Sequence, residues 1–271
     1  MPTLVRPDGI ELHWEEEGSG RTMMLCPYWS GYPGVFERLL SELAHEHRVV
    51  TWDARGTGTS TRSGPYDIET DSGDLEALLE QVGGGVSLIS IADGVNKACR
   101  VGAERPDLVS VVIAMGAGPF SRSHFKGEEG MLGSDAVVNA FLEMLERDYR
   151  GALRSLLAAT NSQMSEEELR ERVGVQSSYC PQDAAVARVR AWSEDDPTPA
   201  ARALRERLWI FSAPDVAGAW LPSAEERRRL IETHMPEARL EETGPGTGPV
   251  SNPDLVAGRI REIIAEAAHS A

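Results

Sequence analysis

The stretch that most constrains this chain runs from Val86 to Lys97, V-S-L-I-S-I-A-D-G-V-N-K. Val86 to Ile91 reads as a short buried strand, and Val95 to Glu104 reads as the helix that follows. Only a very tight turn fits between them. A turn of this kind requires small residues two before and two after its tip, because strand and helix cross closely there. Centring on Ala92 places Ser90 and Gly94 at those positions, which fits. Centring on Asp93 places Ile91 and Val95 there, which does not. The tip is therefore Ala92, and Asp93 opens the helix. A turn of this shape lifts its tip side chain above a sheet, yet a methyl group can neither attack nor be deprotonated.

The rest of the chain supplies the sheet. Leu4 to Arg6 and Ile10 to Glu17 read as a hairpin around Pro7-Asp8-Gly9. Strands are predicted at Thr22–Cys26, Arg48–Trp52, Leu108–Met115, Leu208–Ser212 and Arg239–Thr243. Helices are predicted at Val35–His45, Asp71–Val82, Ser223–His234 with Ser223 as N-cap, and Pro253–Ala268. From about Gly116 to Glu206 there is no convincing strand, only helical runs at Ala136–Leu157, Ser165–Val173 and Pro181–Trp192, then a hinge at Pro197-Thr198-Pro199. Alternating strands and helices imply an α/β fold with a mostly parallel, doubly wound sheet covered on both faces and a helical cap insertion. The expected division is a core of residues 1–118 and 205–271 with a cap of 119–204.

Composition narrows the partners. Lys and Arg number 27 against 43 Asp and Glu, a net charge of −16, which repels nucleic-acid backbones and anionic membranes. Cys26, Cys99 and Cys180 are odd in number and widely spaced, so neither a disulfide framework nor a metal site is expected, and a reducing cytoplasm fits. The sequence starts with Met-Pro-Thr and a charged segment, so no apolar leader is expected, and no apolar run in it is long enough to span a bilayer. A small-molecule or peptide substrate is the expected partner, no cofactor is expected, and a homodimer stays open as an assembly state.

These residues together resemble the α/β-hydrolase fold family, nearly end to end. The turn at Ala92 corresponds to its nucleophile elbow. Cys26-Pro27-Tyr28-Trp29 stands where the family has His-Gly-aromatic, and Asp53-Ala54-Arg55-Gly56-Thr57-Gly58-Thr59-Ser60 is close to D-x-R-G-x-G-x-S. The resemblance implies that Asp215, after the Leu208–Ser212 strand, takes the place of the triad acid, and that Thr247 takes the place of the histidine. Threonine does not titrate near neutral pH and cannot shuttle a proton as imidazole does. Of the six histidines, His13, His45, His47, His234 and His269 fall elsewhere, and only His124, at the cap entrance, is placed to reach the pocket.

With nucleophile and histidine both absent from their places, a non-hydrolytic reaction is expected: an epimerase, isomerase, lyase or cyclase, similar in site logic to the bottromycin epimerase of natural-product biosynthesis. The backbone N–H of Asp93 and that of Tyr28 or Trp29 would hold a carbonyl. Asp93 and Asp215 are the catalytic candidates, and Tyr28, Trp29, Ala92, Asp93, His124 and Thr247 the substrate-binding ones. Asp93 has three readings: a base, an anchor for a substrate cation, or a plain helix cap. Asp215 also reads as a turn residue, and Cys26 either as a nucleophile without a positioned base or as a small buried hydrophobe. The alternatives for the whole chain are a ligand-binding pseudoenzyme and a hydrolase with a displaced nucleophile.

Overall fold

The strands form as β1 (Thr3–Val5), β2 (Glu11–Glu17), β3 (Thr22–Cys26), β4 (Arg48–Trp52), β5 (Val86–Ile91), β6 (Val109–Met115), β7 (Leu208–Ser212) and β8 (Arg239–Glu242). In the computed structural model, which describes residues 1–116, 118–125, 135–160, 164–212, 223–242 and 248–270, they make one sheet ordered β1-β2-β4-β3-β5-β6-β7-β8. The first two strands pair antiparallel, as do β2 and β4; every pair from β4 to β8 is parallel. The fold is thus the expected mostly parallel, doubly wound sheet. The central strands are buried on both faces, which is why β5 and β6 read as near-continuous Val, Ile and Leu rather than alternating.

Helices α1 (Glu37–Ala44), α2 (Ile68–Val82) and α3 (Gly94–Glu104) follow β3, β4 and β5. Between β6 and β7 the described residues form α4 (Asp135–Arg147), α5 (Tyr149–Thr160), α6 (Glu166–Tyr179), α7 (Gln182–Glu194) and α8 (Thr198–Leu204). Helix α9 (Ala224–His234) precedes β8, and α10 (Pro253–Ser270) closes the chain. Leu39 and Leu43 of α1 and Val256, Ile260 and Ile264 of α10 cover one sheet face. Leu75 and Leu79 of α2, Val95 and Ala98 of α3, Leu204 of α8 and Leu230 of α9 cover the other. A separate apolar cluster in α4 to α7, including Phe141, Leu145, Leu153 and Val189, takes in Trp29 from the end of β3.

Local chemistry corrects several expected boundaries. Helix α2 starts three residues early because Asp67 caps it, accepting from the Thr70 N–H at 2.7 Å. The run Ala136–Leu157 is two helices, since Asp148 steps out of the first and its carboxylate accepts from the Gly151 N–H at 2.9 Å. Helix α6 outlasts its predicted end and begins with a capping box between Ser165 and Glu168. The expected hinge at Pro197-Thr198-Pro199 starts a helix instead, a position that tolerates proline because the first-turn N–H groups have no intrahelical partner.

The D-x-R-G run is a scaffold. Arg55 is fully buried and grips Asp74 of α2 with two hydrogen bonds, Nε to Oδ2 at 2.6 Å and Nη2 to Oδ1 at 2.8 Å, while Nη1 reaches Asp8 in the first hairpin at 3.0 Å. Removing one partner of such a pair strands a buried charge, whereas replacing both with apolar groups is often neutral. Asp74→Asn should therefore lower stability by about 3–5 kcal/mol, read as a fall in the urea midpoint. Arg55→Leu combined with Asp74→Leu should recover much of that loss.

Candidate active site

The order of the sheet reverses between β3 and β5, and open α/β sheets bind ligands in the crevice at the carboxyl ends of the strands flanking such a point. The end of β3, Cys26, pairs with Ser90 of β5, so the Cys26–Trp29 segment and the Ala92 turn sit side by side at that edge. Ala92 has φ +51°, a left-handed conformation that non-glycine residues seldom adopt, and its side chain is exposed. Ser90 is fully buried, and a Cβ built on Gly94 would lie 2.9 Å from the carbonyl oxygen of Cys26 and 3.0 Å from that of Pro27. A glycine is thus required at residue 94, Ser90 sits in a fully buried position, and the strained tip residue is Ala92 as expected.

Asp93 does not face the crevice. It is 2% exposed, and its Oδ1 accepts from the Trp29 N–H at 2.7 Å. Its Oδ2 lies 3.9 Å from Nζ of Lys97, four residues on in α3. The side chain makes no capping bond to its own helix, and the cation it meets belongs to this chain. Lys97 Nζ also reaches Asp71 of α2 at 3.4 Å, and Asp71 receives the Arg188 guanidinium of α7 through Nε at 2.8 Å and Nη2 at 3.1 Å. All four charged side chains are buried, two of each sign. Burial pushes the Asp93 carboxyl above the ordinary aspartate range, against the pull of Lys97 and the Trp29 amide. Burial also works against the charge on Asp71 and on Lys97. For Asp71, Arg188 and Lys97 outweigh it and hold the carboxyl at about 2; for Lys97, Asp71 and Asp93 outweigh it and raise the ammonium.

The Trp29 amide, one of the expected partners of the Asp93 N–H, is committed instead to the Asp93 carboxylate. Tyr28 is half-buried, packs edge-on against Phe36, and accepts at its hydroxyl from Gln176 of α6 at 3.3 Å. The Trp29 ring is buried edge-on against Phe141 of α4. The pair therefore joins the sheet edge to the cap. His124 lies in a short 3-10 turn, Arg122–Phe125, after β6. Its ring stacks on His234 at 3.9 Å between centroids, and burial, with the His234 ring next, holds its imidazole below the usual histidine range. Just before it, the hydroxyl of exposed Ser123 donates to that of buried Ser121 at 3.0 Å. The Cys26 thiol donates to the Gly94 carbonyl at 3.3 Å, and burial pushes it up to about 12, so it stays protonated. Asp215 and Thr247 lie outside the described residues. Sequence reasoning missed Lys97, Asp71, Arg188, Ser121 and Ser123. The i,i+4 spacing of Asp93 and Lys97 was the one available local signal.

No family model matches the chain. It is 26% identical over 180 residues, 65% of its length and 66% of the relative's, to a pimeloyl-(acyl-carrier protein) methyl ester esterase of Aliivibrio salmonicida. A protein of the same name from Nitrosomonas europaea is 26% identical over 148 residues, 54% of this chain and 56% of that one. The chain thus spans just under two thirds and just over half of the length of these relatives. Among solved structures, an esterase from Exiguobacterium antarcticum superimposes with a TM-score of 0.81 at 18% identity, covering 97% of this chain and 98% of that one. The fold is the α/β-hydrolase fold. The expectation of a non-hydrolytic epimerase, isomerase, lyase or cyclase is overturned: the relatives by sequence are esterases, which points to hydrolytic enzymes.

Asp71 makes this site acid-sensitive. Its folded-state value lies below its unfolded one of about 3.8, so the stability it contributes is present above pH 3.8 and is lost as pH falls towards 2. That difference corresponds to about 2 kcal/mol. Chemical denaturation across that window should show this loss in the native protein, and the Asp71→Asn variant, already less stable at neutral pH, should lack that share of the slope.

Proposed function

We propose that this chain is a hydrolase of small carboxylic esters bound between the carboxyl edge of the sheet and the helical cap, with its nucleophile displaced from the elbow. The observation that carries the reading is the elbow itself: Ala92 keeps a strained φ of +51° at the tip of the strand-to-helix turn, in a chain whose relatives are esterases. The amides of Asp93 and Tyr28 would hold the ester oxygen as it becomes an oxyanion, a role that needs no side chain at residue 92.

The attacking group then comes from the loop after β6. That loop borders the elbow, because Ile91 and Met115 end paired strands. Ser123 is an exposed hydroxyl among its described residues, already handing its hydrogen towards Ser121. Ser121 immediately precedes the 3-10 turn, and its carbonyl accepts from the His124 N–H at 3.0 Å, which keeps the two residues one turn apart. His124, held neutral at physiological pH by burial, supplies the base. Small alkyl esters are the substrate class that the relatives' names suggest.

Nitrophenyl esters of graded acyl length should be hydrolysed by the native protein. His124→Ala should lower kcat by about a hundredfold, the scale of general-base catalysis. A fluorophosphonate probe should label the peptide holding Ser121 and Ser123. Absence of ester hydrolysis, or turnover unchanged in both Ser123→Ala and His124→Ala, would overturn the reading.

A further inference from the structure

The most unusual feature outside the attacking loop is the buried run of four charges, Asp93–Lys97–Asp71–Arg188. It crosses three elements: the elbow helix α3, the core helix α2 and the cap helix α7. Its members balance in charge, so none is spare. If Arg188 leaves, Asp71 has only Lys97 to answer it, and Lys97, already nearer Asp71 than Asp93 (3.4 against 3.9 Å), is drawn further away from Asp93. Arg188 is also the point where the cap grips the core: its Nη2 donates to the Arg55 carbonyl oxygen at 2.6 Å, and its guanidinium lies over the Tyr66 ring, 5.1 Å from the centroid. At the other end, the Trp29 amide that Asp93 holds is the peptide unit next to Tyr28, whose own N–H is the carbonyl donor of the hydrolase reading.

We propose that Asp93 is a positioning residue: its carboxylate fixes the Trp29 amide, and through Lys97 and Asp71 it makes the seat of the Tyr28 amide depend on how firmly Arg188 docks the cap. A cap helix displaced by an ill-fitting ligand would loosen Arg188 from Asp71, and the carbonyl-binding amide would lose its alignment before any chemistry. The inference deepens the hydrolase reading, since only there does the Tyr28 amide carry a reaction. The coupling itself is a property of the resting protein and is tested without turnover.

The Trp29 amide reports on the charge state of Asp93, whose surroundings are simple. Lys97 faces it from its own helix, Asp71 from α2, Arg188 from α7, and the Cys26, Tyr28 and Cys180 groups from the β3 end and the cap. Burial pushes those last three up to about 12, about 12 and about 11, so none of them titrates in acid or neutral solution. In protein labelled with 15N-tryptophan, the Trp29 signal is identified by its loss in Trp29→Phe. Its shift should titrate with one midpoint above the ordinary aspartate value, and Asp93→Asn should abolish the titration while keeping an oxygen for the amide. Arg188→Gln should move that midpoint upwards by half a pH unit or more. Arg190→Gln, on the same helix in an exposed pair with Glu146, should leave it in place. If Arg188→Gln fails to fold, Arg188→Lys keeps the charge without the fork and should give a smaller upward move. A Trp29 signal that does not titrate in the native protein, or a midpoint indifferent to both Arg188 variants, would overturn the inference whether or not the protein hydrolyses esters.

Discussion

The structure depends on one close approach. At Gly94 the start of the elbow helix passes so near the end of β3 that a single added carbon would press on the carbonyl oxygens of Cys26 and Pro27. To enter the helix at that distance the chain must turn within two residues, and the cost is the left-handed backbone of Ala92. Such strain persists only where the surroundings over-determine it. Here the buried Ser90 below, the β3 carbonyls in front and the packed face of α3 behind do so. What results is an exposed tip at the carboxyl end of β5, beside the end of β3.

Charge burial builds the second layer on that crossing. Asp93 cannot be solvated where it stands, and it is not spent on capping its helix. It is made tolerable by an amide on one oxygen and an ammonium near the other. Lys97 in turn needs more than one carboxylate in so dry a place, and Asp71 more than one cation. The requirement that every buried charge be answered propagates from the elbow to the cap until it ends on Arg188. A second set of polar bonds runs parallel to it. Asn96 and Arg100 of α3 both reach Asp195 beyond α7, at 2.9 and 2.8 Å, and the Tyr179 hydroxyl of α6 donates to Asp53. The cap is therefore fastened to the elbow helix by polar bonds with fixed geometry, as well as by the apolar cluster around Trp29.

The sheet is legible in the sequence because its strands are short apolar runs ended by turn residues, and because the elbow demands small residues at fixed offsets. The turn at Ala92 and the strands around it follow from those two rules. Helix ends are less legible: Asp148 breaks α4 from α5 by capping, which the apolar spacing of Ala136 to Leu157 does not reveal. The charge network is mostly hidden, since Asp71 and Arg188 are 117 residues apart and nothing local marks either as buried. At the site, the missing hydroxyl at residue 92 is plain from sequence, but its consequence is not. One residue shows which group does not attack, and the similarity to esterases overturns the expectation of a non-hydrolytic reaction.

A methyl group at the elbow tip removes the covalent route through residue 92 and leaves the electrostatic one. Backbone donors aimed at a developing oxyanion contribute about 10²–10³ in rate each. A site stripped of its triad still exceeds water by about 10³–10⁴ from those donors and from binding. On the hydrolase reading, with the nucleophile brought from a neighbouring loop rather than fixed at the elbow, the alignment of the two amides would carry a larger share of the catalysis than beside an intact triad. An amide displaced by a fraction of an ångström would then cost more, and a buried ion chain that holds the Trp29 amide, next along the chain from Tyr28, has a physical reason to be there. The elaborate anchoring of Trp29 and the plainness of Ala92 are two sides of the same arrangement: where the side chain contributes nothing, the backbone has to be held.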